Sequence, residues 1–302
     1  MFVALKLFVR LTRPLFLIGA ALLYALGVGI ARYLGATIDW SVYILGQAWV
    51  AALQLSAHFL NEYYDAPKDA DNTSRTPFSG GSGALGTGKL SPSVAVLAAA
   101  VALTIVASLT VVIFRNNLIS PPLLFIMILA FLGSFFYSVP PVKLATSGYG
   151  ELTTSILVAN LLPAFAFLLQ TGELHRLLAM ATFPLTALHL AMMLVFELPD
   201  YANDLKYEKK NLLVRLGWQN GMFFHNLLLL SAFLLLGGAM LFGLPLFIAL
   251  PAFLPLPLTL LQIWQMKKIA DGSKPNWTAL TLTSVVVFGT TSYLLAFAFW
   301  MR

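Results

Sequence analysis

Eight stretches of this chain contain no Asp, Glu, Lys or Arg over membrane-spanning lengths: 14–31, 40–61, 90–114, 116–142, 152–172, 177–196, 216–266 and 275–301. A helix crosses the hydrocarbon core of a bilayer, about 30 Å, in about 20 residues. Lipid offers backbone N–H and C=O groups no partners, so such runs fold as helices whose hydrogen bonds close within the segment. The 51-residue run must hold two crossings, with its break at Gly243-Leu244-Pro245. The predicted fold is all-α: a polytopic membrane protein with nine transmembrane helices around a central cavity capped by cytoplasmic loops. The helices are placed at about 14–32, 39–60, 91–114, 117–139, 152–171, 177–199, 219–242, 245–265 and 277–300, in one domain over 1–302.

The basic residues check that count. The N-terminus and the loops after predicted helices 2, 4, 6 and 8 hold fourteen of the 18 Lys and Arg residues, leaving Arg32, Arg115, Arg176 and Arg302 on the other side. Basic loops stay cytoplasmic, so the N-terminus falls in the cytoplasm and the C-terminus opposite. A missed or invented helix would have blurred the asymmetry. The same placement explains the net charge of +6 without nucleic acid. Only 10% of residues are charged, against about 25% in soluble domains. The absence of cysteine removes disulfides, thiolate metal sites and cysteine nucleophiles, so any cofactor chemistry rests on oxygen ligands or the four histidines. Lys6, Arg10 and Arg13 before an apolar run look superficially like a secretory signal, but no small-residue cleavage site follows, and the run is read as a first helix that stays in the mature chain.

Against this background the acidic residues are strongly clustered. Eight of the twelve lie in two short segments: Glu62, Asp65, Asp69 and Asp71 after the second run, and Glu197, Asp200, Asp204 and Glu208 after the sixth. Asn61, Asp65 and Asp69 recur at i, i+4 and i+8, as do Asp200, Asp204 and Glu208, so each set lines one face of a helix that continues out of the membrane. Like charges at that spacing repel and call for a counter-charge. Magnesium binds through one or two carboxylates plus substrate phosphates, and two facing ladders suit a diphosphate bridged by metal. A solvated acidic surface is the alternative for either cluster taken alone. Lys68, Arg75, Lys143, Lys206, Lys209, Lys210 and Arg215 are candidate phosphate cations, with Arg75 and Lys143 preferred because each stands nearly alone in its loop. Ser79-Gly80-Gly81-Ser82-Gly83 reads as a flexible lid, with a backbone phosphate cradle as the alternative. His58 and His189 lie in the helices that lead into the acidic loops; an interhelical hydrogen bond is the preferred reading and a cavity-facing role the alternative.

Asn61-Glu62-Tyr63-Tyr64-Asp65-Ala66-Pro67-Lys68-Asp69 resembles the Asn/Asp-x-x-x-Asp-x-x-x-Asp signature of the UbiA superfamily of intramembrane prenyltransferases, and Asp200-Tyr201-Ala202-Asn203-Asp204 resembles its second Asp-x-x-x-Asp motif. Lys209 to Gly217 is similar to the tail after that motif, Tyr137-Ser138-Val139-Pro140-Pro141-Val142-Lys143 to the turn after the family's fourth helix, and Arg13-Pro14 to its Arg-Pro before the first. Glu62 stands where Asp is commoner and Asn211 where Thr is frequent. The segment from Arg75 to Gly83, with Gly148-Tyr149-Gly150-Glu151, is most similar to the menaquinone-pathway (1,4-dihydroxy-2-naphthoate polyprenyltransferase) branch.

The resemblance implies transfer of a polyprenyl group from its diphosphate to an aromatic quinone precursor in a prokaryotic plasma membrane, through an allylic carbocation. It implies catalytic Asp65, Asp69, Asp200 and Asp204, two magnesium ions on Asn61 and these four aspartates, and a diphosphate touched by Arg13, Arg75, Tyr137, Lys143, Tyr201 and Lys206. Prenyl transfer to a non-aromatic lipid and a cation-coupled transporter are the alternatives. Transporters place ionisable groups near the midplane, whereas here they gather at one face. The motif of CDP-alcohol phosphotransferases is missing from the sequence.

Overall fold

The structure, a computed structural model, describes residues 2–70 and 72–302; Asp71 of the first acidic segment lies outside the described residues. Its helices are α1 (Phe2–Leu11), α2 (Pro14–Tyr33), α3 (Trp40–Ala70), α4 (Pro92–Arg115), α5 (Pro121–Phe136), α6 (Gly150–Ile156), α7 (Leu162–Thr171), α8 (Arg176–Glu197), α9 (Tyr201–Lys206), α10 (Leu212–Leu216), α11 (Trp218–Leu241), α12 (Leu246–Ala249), α13 (Leu256–Ala270) and α14 (Trp277–Trp300). Among the described residues no strand forms; one isolated bridge joins Leu85 and Leu90.

Among the described residues seven helices are long and apolar enough to cross a membrane: α2, α4, α8, α11, α14, and the continuous pairs Gly150–Thr171 and Leu246–Ala270. Two more occupy predicted crossings. The 16 residues of α5 reach only about 24 Å at 1.5 Å per residue, and the apolar part of α3 is diluted by Gln47 and Gln54. α3 does not stop near 60 but runs on to Ala70, carrying the first acidic ladder on an unbroken helix. The pair α6 and α7 is joined by a π-turn, Leu157–Leu161. Pro163 has no N–H to offer the carbonyl four residues back, which loosens the helix there, and Asn160 in the turn donates to Thr182 Oγ1 at 2.9 Å.

The first and last long helices pack side by side, α2 against α14 and α7, while α8 packs on α11 and α14, and α3 on α4. α2 approaches the π-turned span at Gly27, where a Cβ would lie 2.0 Å from the Pro163 carbonyl oxygen. Only a residue without a side chain allows that contact. The resulting ring of helices leaves a central cavity, with α3, α8, α9 and the loop 72–90 meeting at one end of it.

Candidate active site

The cavity, ≈ 340 Å³, is charged at one end and mostly apolar along the rest, with Gln54, His58, Ser134, Thr154, His189 and Ser292 interspersed. Its charged mouth is built from Arg13, Asn61, Asp65, Lys68, Asp69, Tyr137, Glu197, Asp200 and Lys209. Below the mouth, Phe16 meets Phe196 edge to face (6.1 Å, 88°) and Phe196 stacks on Phe78 (5.9 Å, 6°). Deeper still lie Trp49, Leu53, Ile126, Phe165, Met192 and Phe288.

Helix continuity places the first ladder. Asn61 donates to Asp65 Oδ2 at 3.2 Å, and Asn61, Asp65 and Asp69 all reach the cavity wall. The second ladder divides. Asp200 lines the cavity and accepts from Asn72 Nδ2 at 2.7 Å. Asp204 is fully buried behind it, taking Lys68 Nζ at 2.9 Å and Asn211 Nδ2 at 2.6 Å. Asn211 donates through the same amide to Glu197 and accepts from Val214 N–H at 2.8 Å. Its two N–H groups thus separate two buried carboxylates. Glu208, with φ +52, reverses the chain and takes the third rung out of the ladder.

That reversal also sets which lysine reaches the cavity. Lys209, not Lys206, enters the mouth; burial pulls its ammonium down, but Glu197, Asp65 and Asp204 outweigh this and hold it well above the ordinary lysine range. Lys206 sits 5.1 Å from the Tyr207 ring, and Tyr201 packs edge-on against Trp218. Neither lines the cavity, nor does Lys143, whose own residue caps the turn 144–146 with φ +43. Arg75 is also off the wall. Its Nε donates to Gly80 O at 2.6 Å and its Nη2 to Asp69 O at 2.5 Å, so it folds the glycine loop rather than facing the mouth. Arg13 does face it, held by Glu62, which also accepts from Ser82 N–H at 2.7 Å and Ser82 Oγ at 2.6 Å. Glu62 is therefore a strut between the N-terminal arginine and the glycine loop. Within that loop, Gly81 lies at φ +74 with its α-carbon against Asp69, where a Cβ would stand 2.0 Å from Oδ2.

Burial pushes the Asp69 carboxyl up to about 6, with Asp65 and Glu62 adding to the shift and Lys68 and Arg13 opposing it. Burial raises Asp200 as well. Asp204 moves the other way: burial pushes it up, but Lys209 and Lys68 outweigh this and hold it ionised. Charged oxygens at the mouth that resist desolvation are poised to take a cation. Among the described residues no three acidic or histidine side chains converge tightly enough to hold a metal by themselves. An all-oxygen donor set spread along one wall fits a hard ion that completes its shell with phosphate oxygens. It does not fit a protein-only metal cage.

Lys68 and Lys209 stand among the candidate cations that the sequence offers, but their spacing does not separate them from Lys206. The Phe16, Phe78 and Phe196 wall has no sequence signal at all, since its members come from three distant segments.

An all-helical membrane bundle with a greasy cavity behind a mouth of carboxylates and buried cations defines an intramembrane enzyme for an amphiphilic, anionic substrate. A sequence model of the UbiA prenyltransferase family matches residues 20–285, and the chain belongs to that family of prenyltransferases. No curated protein matches it. Several solved structures share the fold. A UbiA homologue from Archaeoglobus fulgidus, described as bound to GPP and Mg2+, aligns at TM-score 0.63 and 19% identity over 96% of this chain and 99% of its own. A digeranylgeranylglyceryl phosphate synthase aligns at 0.66 and 15% over 99% of each chain. A UbiA homologue from Aeropyrum pernix K1 aligns at 0.59 and 14% over 93% and 96%. Membership in a prenyltransferase family answers the transporter alternative.

Proposed function

We propose that this protein transfers a polyprenyl group from a prenyl diphosphate to an aromatic quinone precursor, with the menaquinone branch as the specific assignment. The observation that carries the reading is the abrupt change along one cavity from charged mouth to aromatic and aliphatic wall. The diphosphate belongs at the mouth and the hydrocarbon chain behind it. A. fulgidus homologues described as bound to GPP or DMAPP and Mg2+ support a prenyl diphosphate with magnesium as the ligand. Asn61, Asp65, Asp69 and Asp200 would hold magnesium, two ions in the full assignment, with Asp204 set behind them. Bound magnesium would supply Lewis-acid stabilisation of the departing diphosphate.

Arg13, Lys68 and Lys209 face the same charge and help the C–O bond to ionise. The rings of Phe16, Phe78 and Phe196 present their faces and edges where an allylic cation forms, and π-faces stabilise cations. The apolar wall keeps water from that cation until the acceptor attacks. A second reading, transfer to a glycerol phosphate lipid, is favoured by the full-length likeness to digeranylgeranylglyceryl phosphate synthase.

In this reading α3 and α5 also cross, making nine spans in one domain of a prokaryotic plasma membrane, with the N-terminus and mouth in the cytoplasm. The test is pyrophosphate release from geranylgeranyl diphosphate by purified protein with magnesium, screening dihydroxynaphthoate, hydroxybenzoate and a glycerol phosphate lipid. Release coupled to dihydroxynaphthoate supports the assignment; coupling only to the lipid moves the second reading forward. Because the chain has no cysteine, single cysteines placed at Ser74 and Asn117 test the topology: only the second should label from outside intact cells.

A further inference from the structure

An acceptor that attacks through a ring carbon or a hydroxyl has a C–H or O–H proton to give up, and in the proposed reading Asp65, Asp69 and Asp200 hold magnesium while Glu197 accepts from Asn211. Three histidines lie within the helical bundle, and their hydrogen bonds distinguish them. His58 Nδ1 sits 3.0 Å from the Thr12 carbonyl oxygen. A carbonyl only accepts, so Nδ1 carries the hydrogen and Nε2 of the neutral ring is left as a bare acceptor. Nε2 has no hydrogen-bond partner among the described residues, and His58 lines the cavity. The ring is locked between Thr12 and the edge of Phe16, with centroids 6.0 Å apart at 72°. His58 precedes Asn61 by three residues on the same helix, so it lies about 4.5 Å deeper. That is the level where the charged mouth gives way to the Phe16, Phe78 and Phe196 wall, and where the first carbon of a prenyl chain must sit if its diphosphate is at the carboxylates.

The other two histidines do not fit that position. Ser155 donates to Glu151 O at 2.7 Å, so its oxygen accepts from His189 Nδ1 at 3.0 Å, which fixes the same tautomer. But His189 is eight residues before Glu197, about 12 Å down the helix, beside the chain rather than its reacting end. His225 is sealed in the α11 packing with Nε2 unpartnered and lies off the cavity wall.

We infer that His58 Nε2 is the base that takes the acceptor's proton. The inference rests on the prenyl-transfer reading. The prenyl C1–O bond breaks and its electron pair leaves on the diphosphate. The acceptor atom gives a pair to C1, and a bond to hydrogen on the acceptor then breaks, at the attacking atom or, where a ring carboxyl leaves as carbon dioxide, at the adjacent ring hydroxyl, the pair staying on the acceptor and the proton passing to Nε2. The imidazolium formed beside the diphosphate is stabilised by it and returns the proton to it or to water at the mouth.

His58→Asn separates the two nitrogens' roles, because the amide N–H of Asn replaces the Nδ1 donor to Thr12 and nothing replaces Nε2. Wild type, H58N and H58A are compared in detergent with geranylgeranyl diphosphate, magnesium and whichever of the three screened acceptors wild type uses. Transfer should fall about 100-fold or more in both variants, the range of general base catalysis. Binding of the unreactive S-geranylgeranyl thiodiphosphate should stay within about twofold, since Nε2 acts after the diphosphate is held. Added imidazole should restore H58A in proportion to the free base, a response that a packing defect cannot give. H58N at the wild-type rate, or a loss of transfer matched by an equal loss of analogue binding and no imidazole response, overturns the inference. If the variants do not fold, diethyl pyrocarbonate on wild type serves instead: modification of His58 should stop transfer, and hydroxylamine should restore it. A fully active His58-modified enzyme overturns the inference. A wild type that reacts with no prenyl diphosphate removes the functional reading and this inference with it, whereas an active wild type beside an equally active H58N removes this inference alone.

Discussion

The two acidic segments carry the same spacing and come to different ends. Asn61, Asp65 and Asp69 stay on one unbroken helix and all face the cavity. Asp200, Asp204 and Glu208 begin with the same i, i+4, i+8 pattern, but the six-residue α9 ends at Lys206 and Glu208 turns left-handed. Asp200 faces the cavity, Asp204 is buried against Lys68 and Asn211, and Glu208 leaves the site. A periodic pattern therefore assigns a common face only for as long as the helix lasts. Past the break the same letters acquire separate duties, and Asp204 becomes the joint that ties the end of α3 to α9.

Substitutions break this contrast in order of size. The largest effect is expected at the cavity-facing carboxylates. Asp65→Asn and Asp200→Asn should each lower transfer by about 10³-fold or more, since several kcal/mol of transition-state stabilisation depend on the cations they hold. Expression and unfolding temperature should stay near wild type. Full turnover in both would end the metal-clamp reading. Asp204→Ala should instead show itself in unfolding, because it removes the 2.9 Å partner of buried Lys68, leaving it Asp69 at 4.0 Å, and one acceptor of Asn211; losing one partner of such a pair costs about 3–5 kcal/mol, readable as an early thermal transition in detergent. If Asp204→Ala proves as stable as Asp200→Asn, the two rungs are equivalent after all.

The lysines give the next contrast. Lys209→Met should reduce transfer by about 10²-fold, as one fixed donor to developing charge is lost, while Lys206→Met should stay within about twofold; reversed effects would move the site to the wrong side of the Glu208 turn. Gly81→Ala is expected to be smaller: the left-handed backbone costs about 1–2 kcal/mol, and the methyl displaces Asp69, so the concentration of magnesium at half activity should rise with kcat little changed.

The smallest effect is a pH dependence. Asp69 titrates near 6 in the folded protein against an ordinary value of 3.8, so between those values the native state binds the extra proton. Its contribution makes the ligand-free protein more stable as pH falls from about 7 toward 4, while magnesium and diphosphate, which need the ionised form, bind progressively more weakly as pH falls through about 6. Asp69→Asn should flatten both trends in unfolding and in binding of the unreactive diphosphate analogue.

The sequence by itself determined the helical membrane architecture and the end of the bundle that carries the chemistry. Exclusion of charge from lipid is a local requirement that each span meets along its own length, and the first ladder obeys helical geometry without help from its neighbours. The tertiary structure decided the rest. It chose Lys209 over Lys206 through a left-handed residue between them, and turned Arg75 inward onto the backbone of Asp69 and Gly80. It set Glu62 between Arg13 and Ser82, assembled an aromatic wall from α2, α8 and the glycine loop, and left one nitrogen of His58 open by binding the other to Thr12. Each of these depends on where a side chain points after the chain has reversed direction, and that direction is set by packing against residues far away in the sequence.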